Sequence, residues 1–180
     1  MAGLFSRKEK LVDLFSAHVP SHILQQTARP PAPDERLSQG PVEFIFVMAQ
    51  GHGDQDTAEL IGVVTADARS AGWMIQALLC NLVVLVRGTV PLRDPPVLGR
   101  VALVRQLMDT CAHRIKAVHG AEQASFGTMG SSARRAHGVL LPSFPQAMGQ
   151  LLALPLGQAQ EMDATAVAAP VPAPHTGRPG

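Results

Sequence analysis

Two apolar runs, Trp73–Leu79 and Leu82–Val86, are separated only by Cys80 and Asn81, and an antiparallel hairpin is the simplest way to join two strands across so short a gap. That hairpin constrains everything around it. Upstream, Val42-Glu-Phe-Ile-Phe-Val-Met48 is a short β-rich run bounded by Pro41 and the turn Gly51-His-Gly-Asp54, and it reads as a mostly buried strand. Between that strand and the hairpin, Thr57 can cap a helix that puts Leu60, Ile61, Val64 and Ala68 on one face and closes at Gly72. Downstream, Thr89–Gly99 carries Pro91, Pro95 and Pro96. Val101, Val104, Leu107, Met108 and Cys111 then repeat with helical spacing to about Arg114. Ile115–Val118, Ala121–Phe126 and His137–Leu141 read as shorter strands, with a turn over Gly127–Arg135, and Gln146–Leu154 as a last helix. The order is β-α-β-β-α-β-β-α.

Around this core the chain divides by composition. Residues 1–27 form a helical preface, with Leu11, Leu14, Phe15, His18 and Val19 at helical spacing, interrupted at Pro20-Ser21. Residues 28–41, with Pro30, Pro31, Pro33 and Gly40, cannot propagate a helix and read as a linker. The domain proper spans 42–154. From 155 to 180 the chain turns to Ala, Pro, Gly and polar residues, too little apolar surface to offset the entropy of ordering, so a disordered tail is expected. There is no internal repeat.

Composition narrows the function classes. Fifteen Lys and Arg against fourteen Asp and Glu leave a formal charge of +1, so there is no broad basic field for a nucleic-acid backbone or an anionic membrane. No apolar run reaches the roughly 18 residues of a membrane span, and Met1–Lys10 is not followed by an apolar signal core. The two cysteines, Cys80 and Cys111, suit a reducing cytoplasm rather than a disulfide framework or a cysteine-rich zinc site. Cys80 reads as a small core residue, not a nucleophile.

Several local patterns invite a chemical reading and carry a plainer one. His52 and Asp54 lie on a glycine-rich turn and read as a polar turn rather than a metal or phosphate site. His113, His119 and His137 lack the i, i+4 spacing of a zinc site and read as surface or pocket-edge histidines. Gly127–Ser131 lacks the Lys of a P-loop, Ser125, Ser131 and Ser143 form no G-x-S-x-G elbow, and Arg134-Arg135 reads as a solvated turn.

Taken in order, four segments resemble the catalytic domain of class III adenylate and guanylate cyclases. Phe15-Ser-Ala-His-Val-Pro-Ser-His-Ile-Leu24 resembles the F-x-x-Tyr-Val-Pro lead-in of many bacterial members. Val42–Gly51 is similar to their first strand, V-x-V-L-F-A-D-I-x-G, and Asn81–Gly88 to the arm G-D-x-x-M-A-x-F-G. Val118-His-Gly120, Gly127-Thr-Met-Gly-Ser131 and Arg134 look like I-H-x-G, G-x-x-G-S and a downstream Arg. The resemblance covers most of residues 11–154. It implies an α+β fold, a ferredoxin-like antiparallel sheet with helices on one face, that works as a dimer.

The resemblance also says what chemistry would need. Cyclisation of a nucleoside triphosphate drives the ribose 3′-oxygen onto the α-phosphorus as pyrophosphate leaves, and two aspartates hold the metal ions that carry the growing charge. Here those positions read Met48 and Asn81, so neither brings a negative charge. The purine-contacting Lys position reads Ala77. To within a residue or two, the purine-contacting Asp falls at Pro142 or Ser143, the ribose-positioning Asn at Pro145 and the transition-state Arg at Gly149. Leu141–Leu156 holds no Asn, Arg, Lys or Asp to replace them. Losing every charged participant removes electrostatic stabilisation worth orders of magnitude in rate. What remains is the shape: Gly51, Gly88, Gly127 and Gly130 at turns, with apolar strands between.

The expectation is a degenerate cyclase domain: no catalytic, cofactor-binding or metal-ligating residue, no cofactor, a cytoplasmic location, and pairing with itself or with a cyclase-like partner in signal transduction. Two alternatives stay open. One is a non-autonomous half of a heterodimeric cyclase making cAMP or cGMP. The other is an unrelated ferredoxin-like interaction domain.

Overall fold

The run read at Val42–Met48 forms the centre of strand β1, which extends over Ser38–Ala49 in the computed structural model; the residues described are 38–88, 98–131 and 134–162. The preface and the Pro-rich residues 89–97 lie outside them, as do the linker up to residue 37 and the tail beyond 162. The strand starts inside the segment read as linker because Ser38–Pro41 pair with Phe126–Gln123 of a neighbouring strand. Pairing with the strand on the other side starts only at Val42. With one partner strand there, a residue lacking an N–H is accommodated.

After β1 come helix α1 (Asp54–Ser70), strands β2 (Met74–Leu79) and β3 (Leu82–Gly88), helix α2 (Arg100–Thr110), strands β4 (Ile115–Ser131) and β5 (Arg134–Leu140), helix α3 (Phe144–Ala153) and strand β6 (Ala159–Met162). The six strands form one sheet in the order β2-β3-β1-β4-β5, with β6 parallel to the first part of β4 and every other pairing antiparallel. The hairpin expected at Cys80-Asn81 is present. The fold is α+β, as expected.

Period-2 alternation along β1 sorts its side chains between two cores. Ile45, Val47 and Ala49 join Leu60, Val64 and Ala68 of α1 and Leu103, Val104, Leu107 and Met108 of α2 on the first face. Val42, Phe44 and Phe46 lie on the second face with Val84, Val118 and the α3 residues Ala147 and Leu151. The helices therefore do not all share one face. The last helix is drawn to the second by its own apolar pair, by the Phe144 ring edge-on to Phe46 at 5.3 Å, and by Lys116, whose Nζ donates to the terminal carbonyls of Leu152 and Leu154. On α2, Val101 is exposed and Leu103 takes the place that spacing assigned to it.

Three further differences have local causes. Thr57 is not the cap of α1: Gly53 is, and the Thr57 hydroxyl donates back to its carbonyl from within the first turn. The two strand pieces expected at Ile115–Val118 and Ala121–Phe126 are one strand, because Gly120 lets the chain pass under Phe44: a Cβ there would lie 2.6 Å from the ring. Gly127–Ser131, expected as a turn, are paired rungs of the same strand against β5. Strand β6 falls in the segment expected to be disordered; its pairing with Ala117–Gly120 and the burial of Met162 hold it.

Both long helices end in the same device. Trp73 N–H bonds to Ala68 O and Gly72 N–H to Arg69 O, with Gly72 at φ +79° closing α1 as its spacing predicts. In α2 the matching bonds run from His113 to Met108 and from Ala112 to Asp109, and here the residue at the Gly72 position is Ala112, at φ +49°, followed by a second left-handed residue, His113, at φ +59°.

Candidate functional site

The positions singled out by sequence gather where β1 ends, beside the turn of the β2–β3 hairpin. Met48 faces Leu82 on β3 and Lys116 on β4, and its half-buried side chain packs against the second core. Lys116, unremarked in the sequence, is its cross-strand neighbour on the same face, at a separation of about 5 Å typical of such pairs. Asn81 is held rather than free. Its Nδ2 donates to Ala49 O at 2.9 Å while its own carbonyl accepts from Ala49 N–H at 2.9 Å, so the side chain fastens the hairpin to the end of β1.

A pair of hard divalent cations would require carboxylate oxygens here. The residues present do not fit such ions: a thioether and a carboxamide already donating to the backbone, with an ammonium group next in register. Among the described residues no group of three or more His, Cys, Asp and Glu could hold a metal ion.

The loop from β1 into α1 is closed on itself. Gly51 N–H donates to Thr57 Oγ1 (3.1 Å) and His52 N–H to Asp56 Oδ2 (2.8 Å). Arg114, at the threshold of β4, donates from one nitrogen to both oxygens of Asp56, at 2.6 and 2.8 Å. The His52 N–H and then the Arg114 guanidinium hold the Asp56 carboxyl below its ordinary value. Glycine is needed at 51 because a Cβ would lie 2.5 Å from Thr57 N. Thus the backbone donors of the loop where the resemblance would place a triphosphate already point at this chain's own carboxylate and hydroxyl. From the sequence, His52 and Asp54 read as a polar turn. The structure uses Asp56 and Thr57, and the signal for them was an acid and a hydroxyl in the first turn after Gly53.

The remaining positions are spread over the second face. Ala77 follows a bulge in β2, where Ile75 and Ala77 oppose consecutive residues Leu85 and Val84. Ser143 is 1% exposed and caps α3; its N–H donates to Glu122 Oε2 at 3.1 Å, and its Oγ has no partner. Burial pushes the Glu122 carboxyl up, and the Ser143 donor works against that push. Pro145 and Gly149 are α3 residues, so the three positions expected to follow Leu141 share one short helix and its cap.

Two expectations are corrected here. Cys80 is not a core residue: it is exposed at the hairpin turn with φ +54°, a conformation that favours glycine, and the quoted arm motif has Gly at that place. His119 is not at the surface: it is 6% exposed, on the first face beside Ile45, and its Nδ1 has no partner. Burial first, and Arg100 second, lower its pKa, with Glu161 pulling the other way. Arg100 and Glu161 are ion-paired, tying α2 to β6. His113 is an exposed turn residue and His137 a β5 residue. Cys111 is buried, which pushes its thiol pKa up.

No helix among the described residues is long and apolar enough to cross a membrane. No protein-family model matches the sequence, and no curated protein matches it. Solved structures do. The adenylyl cyclase CyaB from P. aeruginosa superposes with a TM-score of 0.54 at 12% identity, over 71% of this chain and 79% of that one. A bacterial light-regulated adenylyl cyclase gives 0.60 at 10% identity over 83% of this chain, which spans 52% of that protein. The guanylyl cyclase Cya2 gives 0.50 at 12% identity over 69% and 76%. The sheet and its three described helices are therefore similar to the adenylyl and guanylyl cyclase catalytic-domain fold.

Proposed function

We propose that this chain is a cyclase-like signalling domain that does not cyclise nucleotides itself and acts in the cytoplasm by pairing, with a second copy or with an active cyclase domain whose output it alters. The observation that supports the first half is the charge at the end of β1. Met48 stands where the resemblance requires a metal-binding aspartate, and its cross-strand neighbour is the cation Lys116. A divalent ion would be desolvated against a thioether beside like charge, an arrangement that opposes binding. The self-satisfied loop at Gly51–Thr57 supports the same reading, since a triphosphate would have to displace Asp56 from His52 and Arg114.

The pairing half rests on the fold alone. Its test is co-expression with a cyclase domain from the same genome, followed by co-purification and measurement of cyclic nucleotide. The expected result is a stable complex with changed output. Absence of both a complex and a change would overturn the regulatory reading. The purified chain supplied with ATP or GTP and Mn²⁺ should yield no cAMP or cGMP above the protein-free control, and protein-dependent product would overturn the inactive reading.

A further inference from the structure

Strands β2 and β5 lie at opposite ends of the order β2-β3-β1-β4-β5, with three strands between them. A flat sheet would hold them far apart, because neighbouring strands are spaced by about 4.8 Å. Yet Gln76 of β2 and Val139 of β5 are joined twice: Val139 N–H donates to Gln76 Oε1 at 3.2 Å, and Gln76 Nε2 donates to Val139 O at 3.4 Å. A carboxamide carries one acceptor and a donor in a plane, as a peptide unit does, and here it stands in for one rung of a strand.

The bulge explains how Gln76 is free to do so. Ile75 pairs with Leu85 and Ala77 with Val84, leaving Gln76 as the extra residue with no ladder position of its own. Met74 and Ala77 on one side and Val139 and Leu141 on the other pack against the same second core, on the face that carries Phe44, Phe46 and Met48. The bridge therefore runs across that face and not around the first one.

The geometry points to Gln76 as a strap: its carboxamide closes the two edges of the sheet over the second face, so that the β2–β3 hairpin and the β4–β5 arm are held as one body. The strap also satisfies the backbone of an edge strand at Val139, which would otherwise offer that N–H and C=O to another strand. This does not rest on the cyclase-like reading; any domain with this bulge and this curl would be strapped in the same way.

The test is amide hydrogen exchange, read residue by residue by NMR on the full chain. Gln76→Met keeps the length and apolar stem and removes both hydrogen bonds. With the strap, Val139 N–H is protected in the wild type and exchanges at least tenfold faster in Gln76→Met, while Ile45 and Leu85 in the central strands keep their rates. An unprotected Val139 in the wild type, or an equal rate in the variant, would overturn the proposal. Should Gln76→Met also loosen Ile45 and Leu85, Gln76→Asn supplies the second reading. It keeps the carboxamide but withdraws it by one methylene, and the strap requires the same selective loss at Val139.

Discussion

The two faces of the sheet are built from alternate residues of the same strands, yet they are closed in different ways. The first is sealed by two long helices: Leu85 and Trp73 are fully buried there among Leu103, Leu107 and Val64. Its upper rim is locked by polar contacts. The Trp73 Nε1 donates to Leu98 O, and Arg87 lies over the indole ring while pairing with Glu43. The second face has one short helix, one aromatic cluster and the Gln76 bridge, and it leaves Met48, Met74 and Met148 half-buried. Of the positions that differ from the resembling motifs, Met48, Ala77, Ser143, Pro145 and Gly149 lie on the second face or on its helix and cap, and Asn81 lies in the hairpin turn. The lesson is that one face is closed by helices and the other by strand, ring and amide contacts, and that the second carries most of the positions where the resemblance would place chemistry.

One buried leucine from each face breaks or sharpens this contrast most directly. Leu85→Ala empties space in the sealed face and should cost about 2–5 kcal/mol, lowering the midpoint of the whole denaturant transition. Leu151→Ala on α3 should remove a similar apolar volume but act locally, with exchange rising across 144–153 ahead of β1. Equal, global losses for both variants would contradict the contrast.

The buried ionisable groups give a second, smaller difference, of opposite sign on the two faces. The His119 pKa is lowered in the fold, so its contribution is complete above the ordinary histidine value of about 6.5 and is lost as pH falls through it. Glu122 is raised, so its contribution is complete below the ordinary glutamate value of about 4.3 and is lost as pH rises through the folded value. Melting temperature followed against pH should therefore fall less on acidification in His119→Leu than in the wild type. Glu122→Gln should melt higher than the wild type at neutral pH and lose that advantage in acid. Asp56→Asn should flatten the steeper acid limb below about pH 4, because the folded carboxyl lies below its ordinary value and its contribution disappears only as it is protonated.

The smallest effect compares the two helix ends. Gly72 and Ala112 occupy the same left-handed position in the same capping device, and only Ala112 bears the strain. Ala112→Gly should gain up to about 1 kcal/mol, the relief of a left-handed residue less the added chain entropy of glycine. Gly72→Ala should lose a similar amount.

Much of the fold was legible because it is written locally. The hairpin at Cys80-Asn81, the end of α1 at Gly72 and the burial of Val42–Val47 each follow from residues next to one another. What escaped was set by register or by distance in the chain. Lys116 becomes the neighbour of Met48 only once β1 and β4 are aligned, and Asp56 meets Arg114 across 58 positions. Strand β6 is held by pairing and a single buried Met162 inside an Ala- and Pro-rich segment, and α3 chose its face through contacts with Phe46 and Lys116. The candidate site was read as Met48, Asn81 and the positions after Leu141, and the structure places the first two together at the end of β1. Its self-satisfied loop was not legible, since hydrogen bonds from Gly51 and His52 N–H leave no trace in composition.

The most direct test of the central claim is a calorimetric titration of the purified chain with ATP and with GTP in excess Mn²⁺. The account predicts no affinity tighter than about millimolar, a binding free energy no better than about −4 kcal/mol. Micromolar, Mn²⁺-dependent binding would contradict it, because it would show that Met48, Asn81 and the closed loop still make a nucleotide site.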